Sequence, residues 1–218
     1  MKRIVKDPEE RKQELIDTAE RLFITRGYDQ TSISDIVKEV NVSQGAFYYY
    51  FESKEDVLVA VVKKNMAAME KDLRQIQEKD DMNDAAKLNV MINRFIHNIQ
   101  SRNRIFGFLH HEKSATLYDK LKEIRPFVNI APIMAEVISK GSKKGHFNVA
   151  HPVETSYLLL ALLAWAIKLS WIDSMSAPKE AERAEDMSSE FSENMRSSIE
   201  DLIGRALETR DYKFILQI

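Results

Sequence analysis

The chain has no cysteine in its 218 residues, which excludes disulfides, thiolate metal sites and a cysteine nucleophile together and leaves the redox compartment unmarked. Glycine and proline are scarce, at six and five, too few for the many turns a β-rich domain needs. The first thirty residues do not read as a signal peptide, since Lys2, Arg3, Lys6, Asp7, Glu9 and Glu10 stand where an apolar core would be required. The location expected from this is cytoplasmic. The most apolar run, residues 158–167, is about half of the roughly 20 residues a membrane helix needs, and Lys168 closes it. It reads as buried core, so no membrane partner is expected. An excess of positive charge is also lacking, since the formal net charge is −2. Any attraction to phosphate has to come from the placement of individual Lys and Arg residues and from helix N-termini, which favour anions without side-chain charge.

What is present is 44% hydrophobic and 30% charged residues in helical periods, which points to an all-α chain with an ordinary core. Pro8, Glu9 and Glu10 open a first helix with Leu15, Ile16, Ala19, Leu22 and Phe23 at helical spacing, and Gly27 stops it. Ile33, Ile36, Val37 and Val40 form a second, shorter period. Ser32 is its N-cap, and Asp35 completes a capping box. Asn41 follows where a left-handed residue must end that helix, and Ser43 caps a third helix running through Phe47 to Phe51. Ser53 and Asp56 repeat the capping spacing before a long fourth helix striped with Val57, Leu58, Val61, Val62, Met66, Met69 and Leu73.

A polar stretch at 77–84 marks a boundary near Asp80. The division expected is a helix-turn-helix domain at 1–54, a linking helix at 55–80 and a larger helical domain at 81–218. Within the latter, helical patterns run over 85–101, 105–114, 118–127, 132–144, 152–173 and 187–210, with a connecting loop at 174–186 that contains Pro178.

Two short helices joined by a three-residue turn are the geometry that sets one helix across a DNA backbone and the next into the major groove. Phe47 and Phe51 have the spacing of inward residues. Tyr48, Tyr49 and Tyr50 cannot all be buried, because neighbours on a helix point about 100° apart, and exposed aromatic surface implies a partner. The segment Thr31-Ser32-Ile33-Ser34-Asp35-Ile36-Val37, followed by Val42-Ser43-Gln44-Gly45-Ala46-Phe47-Tyr48-Tyr49-Tyr50-Phe51-Glu52-Ser53-Lys54-Glu55-Asp56-Val57-Leu58, closely resembles the signature of the TetR family of transcriptional regulators. With Leu22-Phe23 and Arg26-Gly27-Tyr28 the resemblance covers residues 11–58. It departs at Val37, where Ala is usual, and at Asn41, where Gly is usual.

The resemblance implies a sequence-specific regulator, most simply a ligand-responsive dimeric repressor on a palindromic operator in double-stranded DNA. It places Gln44, Ala46 and Tyr49 at base edges, with Gly45 and Tyr50 on the same short helix, and puts Tyr48 and Lys54 at phosphates. Gln can make a bidentate contact to adenine, and Ala46 and Tyr49 can touch a thymine methyl. Ser32 and Ser34, with Lys2, Arg3 and Lys6 in an N-terminal arm, are further phosphate contacts.

Reading a palindrome requires two copies. The pairing surface expected is on the last two long helices, where Phe191, Met195, Ile199, Leu202, Ile203 and Leu207 form a stripe and residues 157–172 are apolar almost all round. The middle helices carry Phe95, Ile99, Phe106, Leu109, Met134 and Trp165, a set that would line a cavity for an apolar or cationic organic effector, with His97, His110, Glu112 or Tyr157 as polar anchors. No cofactor or metal is expected.

Two other readings compete. One is a DNA-binding architectural protein that ignores ligands. The other is a helical enzyme built on His110-His111-Glu112, which adjacency opposes, because neighbouring histidines point to different helix faces.

Overall fold

A computed structural model describes residues 7–101, 120, 127–176, 182–209 and 212–217, without the side chains of 170–192. Among these residues there are eight helices and no strand: α1 Pro8–Arg26, α2 Ile33–Val40, α3 Gln44–Tyr50, α4 Lys54–Gln77, α5 Asp84–Gln100, α6 Ile130–Lys143, α7 Pro152–Ser176 and α8 Glu182–Ala206. The all-α expectation therefore holds. The helices expected over 105–114 and 118–127 lie almost wholly outside the described residues.

Local chemistry sets the early boundaries. The Asp7 carboxylate caps α1 by accepting from the Glu9 N–H at 2.8 Å, and Gly27 ends it at φ 93°. Both halves of the α2 capping box form: the Asp35 N–H donates to Ser32 Oγ at 3.1 Å, and the Ser32 N–H to Asp35 Oδ2 at 2.8 Å. Asn41 takes the left-handed conformation, φ 58° and ψ 50°, so the chain reverses without glycine. At the start of α4, Ser53 Oγ accepts from the Asp56 N–H, while the Asp56 carboxylate accepts from the Glu52 N–H at 3.1 Å.

The described residues form two compact units that divide inside α4, between Ala67 and Ala68. In the first, Leu15, Leu22, Phe23, Ile36, Val37, Phe47 and Phe51 share one core with Val57, Leu58, Val61 and Val62 from the first half of α4. Lys64 of α4 is salt-bridged to Asp17 and Glu20 of α1. The three N-terminal helices thus close only with α4 as a fourth wall.

In the second unit, Leu88, Met91, Ile92, Phe95 and Ile96 of α5, Ile133, Met134, Val137 and Ile138 of α6, and Leu159, Leu160, Leu163 and Ile167 of α7 are buried. Gly141 of α6 lies against the Phe147 ring, where a methyl group would collide. The apolar part of α7 is longer than the sequence reading allowed: Pro152–Leu169 is apolar and long enough to cross a membrane, and a third of it is buried. Both ends of the expected 174–186 loop are helical, because α7 continues to Ser176 and α8 begins at Glu182. Glu182, Arg183 and Ala184 are strong helix formers that polarity alone had assigned to the loop. At its other end α8 stops at Ala206, and Glu208 turns left-handed at φ 48°.

Asp84, at the first position of α5, has a side chain only 2% exposed and accepts from Lys144 Nζ at 2.9 Å and pairs with His146 Nδ1 at 3.0 Å. Burial pushes this carboxyl up, but the hydrogen bonds and charges of Lys144 and His146 outweigh it and hold it below the ordinary aspartate value of 3.8. A carboxyl depressed in the folded state stabilises above its unfolded pKa and loses that contribution as pH falls through the folded one. Asp84→Asn is accordingly expected to cost about 1–3 kcal/mol at neutral pH. In urea titrations across pH, its difference from the wild type should shrink below about pH 4.

Candidate nucleic-acid interface

The turn Asn41-Val42-Ser43 fixes α3 against α2: the Val42 N–H donates to the Val37 carbonyl at 2.9 Å, and Ser43 Oγ accepts from the Ala46 N–H at 3.3 Å. Phe47 and Phe51 point into the core, as their spacing implies, with ring centroids 5.6 Å apart. The opposite face carries the tyrosines. Tyr49 is 76% and Tyr48 54% exposed, while Tyr50 is half-buried and meets the Tyr49 ring edge-on at 4.8 Å.

Gln44 and Gly45 are exposed in the first turn of α3, and Ala46 is half-buried behind them. A methyl at Gly45 would meet nothing nearer than Ser43 Oγ at 3.8 Å, so the chain's own packing does not require a glycine there. Ser32 and Ser34 are exposed at the start of α2. Gln44 Nε2 donates to Ser34 Oγ at 2.8 Å, a link that sequence spacing did not reveal. It holds the amide of α3 from α2 and leaves Gln44 Oε1 and one N–H for a partner.

Positive charge around this face is largely committed. Arg21 pairs with Glu39 at 2.7 Å and Arg26 with Asp35 at 3.9 Å. Hydrogen bonds from the Ser32 side chain and backbone hold the Asp35 carboxyl below its ordinary range. The Lys54 ammonium points to the protein, donating to the carbonyls of Tyr28 at 3.0 Å and Thr31 at 3.1 Å, 4.0 Å from the Tyr28 ring centroid. Lys120, which no motif singled out, is ion-paired to Asp56 at 2.5 Å beside the start of α4. Lys2, Arg3 and Lys6 lie outside the described residues.

The residues expected to form an effector cavity are only partly together. Phe95 and Met134 are fully buried, and Ile99 and Tyr157 half-buried. Trp165 is instead 55% exposed on α7, with Lys168 Nζ 5.0 Å from its ring, because its helix buries the opposite row. His97 is exposed. Phe106, Leu109, His110, His111 and Glu112 lie outside the described residues.

The α8 stripe expected to pair two chains divides between interior and surface. Ile199, Ile203 and Leu207 are buried in the chain's own core, leaving Leu202 51% exposed and Met195 half-buried. The side chain of Phe191 is outside the described set. A tail at 212–217 is tied to α8, the Leu216 N–H donating to Glu200 Oε1 at 2.7 Å. Residues 212–217 are extended, with Phe214 and Leu216 buried and Lys213, Ile215 and Gln217 exposed, the period-two pattern of a strand. Asn89 and Asn93 of α5 act as its partner edge: Asn89 Oδ1 accepts from the Ile215 N–H at 3.1 Å, Asn93 Nδ2 donates to the Ile215 carbonyl at 2.7 Å, and Asn93 Oδ1 accepts from the Gln217 N–H at 2.8 Å. On α7, Leu158 is 71% exposed in line with the exposed Ala161 and Trp165.

Residues 15–61 match the family model described as bacterial regulatory proteins, tetR family. The chain is 28% identical over 176 residues to IcaR of Staphylococcus aureus, a negative transcriptional regulator of the biofilm operon icaADBC, covering 78% of this chain and 90% of that one. It is 45% identical over 53 residues to YuxN of Bacillus subtilis, an uncharacterised HTH-type transcriptional regulator, over 24% of this chain and 18% of that protein. Among solved structures it resembles a TetR-family regulator from Pectobacterium atrosepticum, with a TM-score of 0.64 at 21% identity over 92% and 95% of the two chains. It also resembles Bacillus subtilis FadR in complex with stearoyl-CoA, with a TM-score of 0.60 at 19% identity over 84% and 96%.

Proposed function

The chain is a DNA-binding transcriptional regulator of the TetR family, and we propose that it acts as a cytoplasmic homodimeric repressor whose α3 reads each half of a palindromic operator. The observation that carries the reading is the outward face of α3: two exposed tyrosines that the fold does not need there, beside a glutamine amide already oriented by Ser34. Gln44 and Tyr49 supply base contacts, and the first turn at Gly45 leaves room for close approach to the groove wall. Tyr48, Ser32 and Ser34 reach the backbone, positioning without specifying.

The second copy docks through the α7 face of Leu158, Ala161 and Trp165, with Leu202 of α8 beside it. Half-sites read by such a dimer lie about one turn of DNA apart. A small apolar effector, taken up near Phe95, Ile99, Met134 and Tyr157, shifts the dimer toward a spacing that no longer fits the operator. Support for an apolar effector comes from the aromatic and Met content of that region and from the stearoyl-CoA bound to FadR, whose fold is shared.

The test is base preference at the operator. Gln44→Ala should cost about 1–3 kcal/mol on the preferred sequence and relax preference at one position per half-site, as read by binding to a set of single-base variants. An unchanged preference would remove α3 from base reading.

A further inference from the structure

The Lys54 ammonium is more elaborately held than a phosphate-seeking side chain needs to be. It stands in the first turn of α4, where the helix dipole disfavours a cation, yet two of its three donors are spent on main-chain carbonyls of the α1–α2 turn. The Tyr28 ring lies against it at 4.0 Å from its centroid. Tyr28 and Thr31 are themselves buried.

Each end of that turn is thereby gripped from α4. Within the turn, the Thr31 N–H donates to the Tyr28 carbonyl at 3.1 Å, and Thr31 Oγ1 donates to the Gly27 carbonyl at 2.8 Å. The next residue, Ser32, is the N-cap of α2. Ser34, two residues on, holds the Gln44 amide of α3. A chain of contacts therefore runs from Lys54 through the entry of α2 to the side chain placed for base reading, and none of it requires Lys54 to touch DNA.

We infer that Lys54 is a positioning residue: it locks the entry of α2 to α4 and through Ser34 fixes the recognition helix, instead of neutralising a phosphate. This rests on the reading of α3 as the DNA-contacting helix. Without Lys54 the buried Thr31 carbonyl loses its charged donor, α2 gains freedom at its N-terminus, and discrimination between operator and random DNA falls.

Two measurements test it. The first is lysine acetylation of the wild-type full-length protein, mapped by mass spectrometry with and without its selected DNA site. Lys54 should react roughly tenfold or more slowly than exposed Lys38 and Lys63 before DNA is added, the factor expected of charge-assisted hydrogen bonds that must open first, and DNA should protect it no further. The second is a salt titration of Lys54→Met on selected and random DNA. Selected-site binding should weaken about tenfold or more while random-DNA affinity and the salt slope stay at the wild-type values.

Three results would overturn the inference. They are Lys54 acetylation as fast as Lys38 followed by protection on DNA, a salt slope shallower by about 0.9 per protomer, or undiminished operator affinity in Lys54→Met. If the wild type selects no DNA sequence, the DNA reading itself fails, and the DNA-free acetylation rate still decides whether the ammonium is held.

Discussion

Replacing Leu158 and Trp165 together with glutamate is expected to leave the chain folded and to lower operator affinity by roughly 10²–10⁴-fold, the range gained when two binding modules are linked. Both residues are more than half exposed on α7, so the carboxylates remain solvated in a single chain and its core is untouched. In a dimer joined at this face the same two changes would bury up to four uncompensated charges, a cost that helical pairing cannot absorb. The expected readouts are a fall in mass by light scattering from two chains to one and a nearly unchanged thermal midpoint. A variant that remains dimeric and keeps its affinity would place the pairing surface elsewhere.

The second large effect lies in the N-terminal core. Phe47→Ala removes a fully buried ring that packs on Phe51 and meets Tyr48 edge-on, both at 5.6 Å between centroids. Large-to-small changes of this kind cost about 3–5 kcal/mol, against a total stability for ordinary domains of about 5–15 kcal/mol. The N-terminal unit should therefore unfold at much lower urea than the rest of the chain, separating the transition into two steps and abolishing DNA binding. A single unshifted transition would mean that Phe47 is not an interior residue.

The N-terminal half was legible because its signals are local. Ser32 and Asp35 sit three residues apart and cap one helix, Asn41 needs only its own backbone to reverse the chain, and the inward spacing of Phe47 and Phe51 is a property of one short helix. Lys54 was not legible in the same way. Its acceptors are main-chain carbonyls 23 and 26 residues earlier, and carbonyls leave no mark in side-chain identity.

The α8 stripe was only partly legible for a related reason. Periodicity at Ile199, Ile203 and Leu207 reports that a face is apolar but not what covers it, and here the covering groups belong to the same chain. On α7 the ambiguity ran the other way. An all-round apolar helix has no preferred face in its sequence, so only coordinates separate the buried row of Leu159, Leu163 and Ile167 from the exposed one of Leu158 and Trp165. The paired tail at 212–217 was overlooked because its edge is supplied by two asparagines of a helix, not by a strand.

The most direct test of a dimeric DNA reader is selection from a random DNA pool by the full-length protein. The expected winner is a palindrome with half-sites about one helical turn apart, bound by two chains and with a steep dependence on salt. Enrichment of no sequence, or of a single half-site bound by one chain, would contradict the account.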